Sequence, residues 1–379
     1  MAIEYVEIRN HNTDIIGIID AAKSVIWHSV FFGVGDFEIY TEATPEALKM
    51  LKKYNYVTRP DDIEIGIIEK IEIVNDENDG LMISAAGRFA KSILDRRLIY
   101  KLAGKTNTPT VLRGNVEENI RELVYNNAIA CSFDSKRNIS ILELGEFAGT
   151  TARIVDNNGY ATQKQTSYAN LLDYTDGVLQ EYGLASMAVL NAERRKLQYI
   201  VYAGVDRSID NTNGNTPVVF SREFDNLTAS AYMCDTTAEK NTALIGGEGE
   251  GAERFYSLLE GNETDLQRRE MFIDASSINK TYKEGSGENE EEITYTDEEY
   301  RALLDAKGKQ DLTPLVVTEN YNGTIDIENG NYIYNRDFYL GDIVTVQDNQ
   351  LEAVLNVRIT EITEVQDENG YTVDANYTT

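Results

Sequence analysis

The sequence predicts a mixed, β-rich α+β protein with more than one domain. The chain has 379 residues, more than one hydrophobic core usually organises, so two or more domains are expected. Most segments alternate apolar and polar residues with the period of a β-strand, and only a few show helical spacing. After Thr313, about 65 residues contain short strand patterns separated by Asn, Asp and Gly turns, which suggests a closed or nearly closed β-barrel.

The N-terminal part is expected to consist mainly of strands. Strand patterns lie at residues 3–8, 14–20 and 25–32. Thr44 followed by Pro45 has the form of an N-cap and a proline at the first helical position, which predicts a short helix through Leu51. The clearest hairpin pattern follows, with strands at 63–74 and 81–85 and a turn that ends in Asp79-Gly80.

Two helices are expected in the middle of the chain. Asn115 and Glu118 resemble a capping box, and the apolar residues after them recur at helical spacing. Ser167 is expected to cap a longer helix that stops at Gly183. Strands are expected at residues 139–144, 197–202 and 218–224.

The composition changes between residues 276 and 296. Residues 283–296 are small, polar and acidic, which is typical of a flexible excursion. Thr296 and Glu299 form a second capping box, and the helix that they open is expected to end near Gly308.

The composition is strongly acidic: 35 Lys and Arg stand against 64 Asp and Glu, which gives a formal net charge of −29. Affinity for phosphate comes from Lys and Arg, so neither sequence-specific nucleic-acid binding nor an acidic membrane partner is expected. Cys131 and Cys234 have no paired spacing, and no stretch approaches the ~18 apolar residues of a membrane span. Without a signal-peptide pattern, synthesis and folding in a cytoplasm are expected.

Residues that could carry catalysis are scarce. His11 and His28 are the only histidines, and neither has the spacing of a metal-binding pair. Lys105 and Thr106 resemble the end of a phosphate-binding loop, but Ile99 stands where the first glycine is needed. We therefore predict no catalytic residues.

Two further segments resemble ligand loops only in part. The glycine-rich run at 246–251 carries Glu248 and Glu250, which would repel a pyrophosphate, so a structural loop is expected. The segment 75–80 has oxygens spaced as in a calcium loop, but Ala86 replaces the bidentate glutamate at the twelfth position, leaving only a weak cation site open. Hence we predict neither a cofactor nor a dedicated metal site.

The C-terminal segment carries a recognisable pattern, Leu340-Gly341-Asp342 followed by a strand through Val346. It resembles the ending of a family of siphophage tail-hub, or tail-tip, proteins. Further blocks of the same family occur in order along the chain, at 112–117, 220–227, 247–254, 268–275, 357–362 and 370–373.

The resemblance implies a fold similar to the hub of contractile-phage baseplates, with two tube-type β-barrel domains and smaller peripheral α+β domains. It implies a ring of three copies that joins the tail tube to a spike or fibre and lets DNA or cargo pass. The implied location is the virion tail, and the implied partners are further copies of the chain, a distal tail or tube protein, a tape-measure protein and a spike or fibre protein.

The predicted domains follow from combining these patterns. An N-terminal tube-type barrel region spans 1–160, with a helical insertion around 88–128. A peripheral α+β region at 161–310 contributes strands to the second barrel and contains the excursion, and a C-terminal barrel region spans 311–379. Because unpaired strand edges invite a neighbour, the candidate interface residues are Phe220, Arg222, Phe224, Tyr339, Leu340, Asp342 and Val344.

Two other functions remain open at this point. With 64 acidic residues, a carboxylate-dependent hydrolase of cell-wall polymer is possible, although the sequence does not indicate which two carboxylates would form the catalytic pair. The alternative is a carbohydrate-binding receptor protein of the tail tip. The 23 tyrosines fit either core packing or interface contact, because a tyrosine buries a large ring and keeps its hydroxyl hydrogen-bonded.

Overall fold

A computed structural model describes residues 3–76, 80–103, 106–155, 161–284, 291–313, 315, 318–325, 332–349 and 353–378. We number its strands and α-helices in chain order. Its shorter helical turns are given by residue range.

The first part of the chain forms a series of strands with one short helix. These elements are β1 (Val6–Arg9), β2 (Ile15–Ile19), β3 (Ser24–Val30), β4 (Asp36–Glu42), α1 (Pro45–Met50), β5 (Tyr56–Thr58), β6 (Ile65–Ile67), β7 (Lys70–Asp76) and β8 (Gly80–Arg88). The Thr44 hydroxyl accepts the Ala47 N–H, which confirms the predicted N-cap. Strands β7 and β8 form the predicted hairpin, and residues 77–79 of its turn lie outside the described residues.

The next part contains two helices and shorter strands. They are the 3-10 helix Ala90–Arg96, β9 (Leu102–Ala103), β10 (Thr106–Asn107), β11 (Thr110–Arg113), α2 (Val116–Val124) with a π-helical turn Tyr125–Ile129, β12 (Leu142–Leu144), β13 (Gln163–Thr166), α3 (Leu171–Glu181), β14 (Leu184–Asn191) and β15 (Lys196–Ala203). Asn115 caps α2 as predicted. Lys105, from the phosphate-loop resemblance, lies outside the described residues.

The predicted cap of α3 is wrong. Asn170, not Ser167, accepts the N–H groups of Leu172 and Asp173. Tyr168 has a φ of 62°, which turns the chain away from a helical path just after Ser167. Gly183, with a φ of 66°, follows the end of the helix as predicted.

The remaining elements complete the chain. They are β16 (Val219–Ser221), the 3-10 turn Arg222–Phe224, β17 (Leu227–Asp235), β18 (Thr242–Gly246), β19 (Tyr256–Leu259), β20 (Glu270–Asp274), β21 (Thr281–Glu284), β22 (Glu291–Thr294), α4 (Asp297–Leu312), β23 (Thr318–Ile325), β24 (Ile343–Asp348), β25 (Ala353–Asp367) and β26 (Gly370–Thr378). The capping box of Thr296 and Glu299 is confirmed.

Two predicted boundaries in this part are wrong. The strand expected at 218–224 stops at Ser221, because the Ser221 hydroxyl accepts the Glu223 N–H and starts a 3-10 turn. Helix α4 runs past Gly308 to Leu312. At Gly308 a Cβ would lie 2.8 Å from Ile245 Cδ1, so this glycine serves close packing rather than helix termination. In the acidic excursion, β21 and β22 pair as a hairpin, and residues 285–290 between them lie outside the described residues.

The largest sheet joins the beginning and the end of the chain. Its strand order is β17-β23-β26-β25-β3-β4-β8-β7, with β24 paired to β25 and β16 paired to β24. Strand β25 pairs with β24 through its first half and with β3 through its second half, where Glu364 lies opposite Trp27. The β-rich α+β class is confirmed. In the part of the chain that the structure describes, no sheet order closes on itself, so the two barrels stay a prediction.

The chain divides into two compact units. The first contains Met1–Ile154, Ala161–Tyr232 and Asn320–Thr379, and the second contains Val155–Tyr160 and Met233–Glu319. The first unit has three apolar clusters, one on α2, α3 and β14–β15, one around Trp27 and one around Phe220. In the second unit, α4 places Tyr300 and Leu304 against Ile245 and Ile273. None of the described helices combines the length and apolar character needed to cross a membrane.

Candidate assembly interface

The Leu340-Gly341-Asp342 turn is a structural junction of the first unit. Asp342 is buried, and its carboxylate accepts the N–H groups of Val205, at 2.7 Å, and Tyr339, at 3.0 Å. The same carboxylate pairs with Arg207 Nε at 2.8 Å. Charge-assisted hydrogen bonds of this kind are about twice as strong as neutral ones, so Asp342 ties the segment after β15 to the start of β24.

Gly341 is required at this junction for two reasons. Its φ of 93° is in the left-handed region, and a Cβ there would lie 2.2 Å from Phe31 Cε2. Its carbonyl accepts a hydrogen bond from Arg358 Nη1 at 2.6 Å. A Cβ on Gly204 would in turn lie 1.7 Å from the Gly341 oxygen. The two glycines therefore let two backbone segments touch.

The structure separates the seven candidate interface residues by exposure. Phe220, Asp342 and Val344 are buried, and the Phe220 ring packs against Phe338 with centroids 5.2 Å apart. Leu340 is half-buried. Arg222, Phe224 and Tyr339 are exposed and can meet a partner without any opening of the core. The interface role of all seven stays a prediction.

An exposed apolar strand edge was not among the predicted sites. Strand β2 forms one end of the sheet ordered β2-β1-β5-β6, and no other described strand pairs with its outer side. On it, Ile15, Ile16 and Ile18 have 52%, 41% and 47% of their surface exposed. An unpaired apolar edge is a template for pairing with another chain. The run Ile15-Ile16-Gly17-Ile18-Ile19 is the signal that could have identified it.

The second unit also exposes an apolar sheet face. In the order β19-β18-β20, Leu244 lies between Leu258 and Phe272, so the three side chains form a row across the sheet. All three are exposed, whereas Ile245, the next residue of β18, is buried. The Arg254 guanidinium lies 5.5 Å from the centre of the Phe272 ring. Aromatic rings with arginine are the composition enriched at protein interfaces.

The glycine-rich segment 246–251 is a packed structural loop, as expected. The Tyr300 hydroxyl accepts the Glu248 N–H at 2.7 Å, and Arg254 donates to the carbonyls of Gly246 and Gly247. Across the described ranges, no three His, Cys, Asp or Glu residues come together as a group that could hold a metal ion.

Buried charged side chains connect the loop after β5 to the last strands of the chain. Arg59 donates two hydrogen bonds to Glu364, at 2.9 and 3.0 Å, and two to Asp61, at 3.0 and 2.6 Å. The Tyr371 hydroxyl also donates to Glu364. Burial alone would lower the pKa of Arg59, and the bonds and attraction to Asp61 and Glu364 raise it more. Arg59 therefore stays charged and holds β25 to the loop after β5.

Glu64 lies close to this group and has an unusual affinity for its proton. The Ser29 hydroxyl donates to Glu64 Oε2 at 2.5 Å, and Asp62 accepts the Glu64 N–H at 2.8 Å. Burial, followed by repulsion from Asp62, raises the pKa of Glu64 from its usual 4.5 to about 8. The folded chain therefore keeps a proton here that the unfolded chain releases.

We expect Glu64→Gln to flatten the pH dependence of stability. Between pH 4.5 and about 8, the folded protein binds a proton more tightly than the unfolded chain, so the free energy of unfolding falls as pH rises. Glutamine does not ionise and still accepts from Ser29. Urea midpoints at pH 5, 6.5 and 8 should therefore fall less with pH in the variant than in the wild type. Parallel pH profiles for the two proteins would contradict the assignment.

Comparison with known proteins places these features in a family. The profile of the family described as Siphovirus ReqiPepy6 Gp37-like protein matches residues 5–377. No curated protein sequence matches the chain.

Among solved structures, the chain is similar to the tail protein from Neisseria meningitidis MC58, with 12% identity, a TM-score of 0.58 and coverage of 99% of this chain and 96% of the other. It is similar to the 43 kDa tail protein of prophage MuSo2 from Shewanella oneidensis, with 12% identity, a TM-score of 0.58 and coverage of 99% and 98%. The prophage tail protein gp18 from Listeria monocytogenes EGD-e gives 10% identity, a TM-score of 0.50 and coverage of 98% and 94%.

The shared fold therefore extends over nearly the whole chain and nearly the whole of each of these tail proteins. Together with the match at residues 5–377, it confirms the resemblance to siphophage tail proteins. The chain therefore belongs to the family of Siphovirus ReqiPepy6 Gp37-like proteins and shares the fold of these phage tail proteins.

Proposed function

We propose that the chain is the structural hub of a phage tail tip or baseplate. In this role several copies, three in the simplest case, form a ring that joins the tail tube to a central spike or fibre. Its partners would be a distal tail or tube protein, a tape-measure protein and the spike or fibre protein. The domain division at about residues 160 and 310, with two tube-type barrels completed in the ring, is part of this proposal.

The observation that carries the proposal is the apolar edge of β2, which no other described strand pairs with, in a chain with the fold of phage tail proteins. Pairing with the β2 edge would add backbone hydrogen bonds and bury three isoleucine side chains at once. The net charge of −29 supports the same role, because an acidic wall would let DNA pass without binding it.

The proposal is tested by the mass and position of the assembly. Light scattering after size exclusion should give a ring-sized species when the chain is mixed with its tail tube and spike partners. Electron microscopy of tails carrying a labelled chain should place the label at the tail tip. A chain that stays monomeric with these partners, or a label along the tube, would overturn the hub role.

We expect Ile18→Lys to weaken ring formation without unfolding the chain. Ile18 is exposed in the isolated chain, so the change should alter its free energy of unfolding by no more than about 0.5 kcal/mol. An interface would have to bury the new ammonium, so the concentration for half-assembly should rise by about tenfold or more.

Leu266→Lys is the matched control, because Leu266 is 85% exposed but lies on a 3-10 turn rather than a strand edge. Sedimentation velocity of both variants with the tail partners measures the difference. Equal assembly of the two variants would exclude β2 as the contact edge.

A further inference from the structure

A cavity of about 240 Å³ lies beside helix α2 in the first unit. Its lining comes from three parts of the chain, at residues 100–101, 108–112 and 119–133. Pockets for drug-sized ligands have roughly 300–1,000 Å³, so this cavity has the size for a single small ring. Neither the predicted interface residues nor the exposed strand edge contributes to it.

The floor of the cavity consists of two leucines and one asparagine whose amide is already hydrogen-bonded. Leu112 and Leu123 are buried there together with Asn127. The Asn127 amide is held at both ends, because its oxygen accepts the Tyr100 N–H at 3.3 Å and its nitrogen donates to the Leu123 carbonyl at 2.9 Å. A floor fixed in this way does not need to be ordered when a ligand binds.

One wall of the cavity is aromatic. The rings of Tyr100 and Phe133 have centroids 5.3 Å apart and meet at 48°. Arg137 is buried, and its guanidinium lies 4.0 Å from the centre of the Tyr100 ring and 5.4 Å from that of Phe133. Arg137 thus fixes both rings, which offer an apolar surface to the carbon skeleton of a ligand.

The rim carries hydrogen-bonding groups that are still available. Thr108, Thr110 and Ser132 line the cavity, and their side-chain hydroxyls have no hydrogen-bond partner among the residues that the structure describes. Asn126 donates to Glu122 across 3.3 Å, which leaves the amide oxygen of Asn126 and the second oxygen of Glu122 as acceptors. The rim can therefore both donate hydrogen bonds to a ligand hydroxyl and accept hydrogen bonds from it.

The charge of the lining favours a neutral ligand. Among the described residues of the lining, Lys101 and Glu122 are the only ionisable side chains apart from the Tyr100 phenol, and their charges are opposite. An anionic ligand would gain an attraction to Lys101 and meet a repulsion from Glu122. By contrast, a smaller cavity of about 80 Å³ beside Arg59 offers charged groups that are already paired with one another.

We propose that the cavity beside α2 binds one neutral sugar unit of a saccharide. The apolar ring face would rest on Tyr100 and Phe133, while Asn126, Glu122 and the three hydroxyls bind its hydroxyl groups. This inference does not rest on ring formation, since all of the lining residues belong to one chain. It adds a ligand site to a chain whose proposed role is otherwise structural.

The test is saturation-transfer NMR of the full chain with glucose, galactose and N-acetylglucosamine, and with glucuronate as the charged comparator. At about 10 mM sugar, in the range of weak millimolar binding, at least one neutral sugar should give a signal larger than that of glucuronate. Asn126→Ala and Glu122→Ala should each reduce that signal by about threefold to tenfold, the loss of one hydrogen bond.

Glu118→Ala is the matched control, because Glu118 is exposed on the same helix and does not line the cavity. Its sugar signal and the thermal midpoints of all three variants should match the wild type. The proposal is overturned if no neutral sugar gives a signal, if glucuronate gives the largest one, or if the two cavity variants bind as the control does. Assembly with tail partners is measured separately, so failure here leaves the hub test unaffected.

Discussion

Replacing Arg59 with methionine should lower the free energy of unfolding by about 3–5 kcal/mol, the usual cost of leaving one member of a buried ion pair alone. The Arg59 and Glu364 side chains are 1% and 3% exposed. Without the guanidinium, the Glu364 carboxylate would keep only the Tyr371 hydroxyl as a hydrogen-bond donor within the described part of the chain. The single tryptophan, Trp27, lies 5.4 Å beneath Arg59, so its fluorescence in a urea titration reports directly on this region.

A surface ion pair provides the comparison. Arg194 pairs with Glu143 at 2.9 Å, but the Arg194 side chain is 64% exposed, so Arg194→Met should lower the free energy of unfolding by less than about 1 kcal/mol. Adding Glu364→Gln to Arg59→Met should recover part of the loss, because no unpaired charge then remains buried. Equal losses from Arg59→Met and Arg194→Met would show that the buried pair does not hold the sheet together.

Gly341→Ala should lower the free energy of unfolding by about 2–5 kcal/mol, combining a left-handed backbone with overpacking. The new methyl group would overlap the Phe31 ring, which contacts Tyr202 on β15 at a centroid distance of 5.4 Å. Phe31 is fully buried, so its ring has little room to move away from the new methyl group. Urea unfolding followed by circular dichroism measures the loss.

Gly214→Ala separates the two contributions. Gly214 has a φ of 75° and no atom within 4 Å of an added Cβ, so its substitution should cost only the conformational part, about 1–2 kcal/mol. Combining Gly341→Ala with Phe31→Leu should cost less than the sum of the single changes, because the smaller side chain makes room. Strict additivity would place the cause of the loss elsewhere.

Local signals in the sequence were sufficient for several elements. The caps at Thr44, Asn115 and Thr296 were predicted because a side-chain oxygen next to a helical pattern acts over only two or three residues. The predicted cap at Ser167 is wrong because the backbone turns away from the helix between Ser167 and the true cap. Tyr168 adopts a left-handed conformation that its residue type does not favour, and no local pattern reveals it.

Long-range pairing could not be predicted in the same way. Arg59 and Glu364 are 305 residues apart, and no local sequence pattern indicates that these two residues form a pair. The sequence shows the motif at Leu340 but not its physical role. Gly341 is needed because Phe31 packs against it, and Asp342 is needed because it pairs with Arg207; both partners are distant in sequence. Phe220 and Val344 are buried, and the strand pattern alone does not show which face of a strand the core covers.

The long strand β25 has a consequence for the timing of folding. A ribosome adds roughly 5–20 residues per second, so β3 waits about half a minute for the partner that lies opposite it in the finished sheet. Until then the nascent chain lacks β25 and, with it, Glu364, one of the two carboxylates that pair with Arg59. Completion of the large sheet therefore waits until β25 has been synthesised, and a chain truncated before β25 lacks the strand that pairs with β3, β24 and β26.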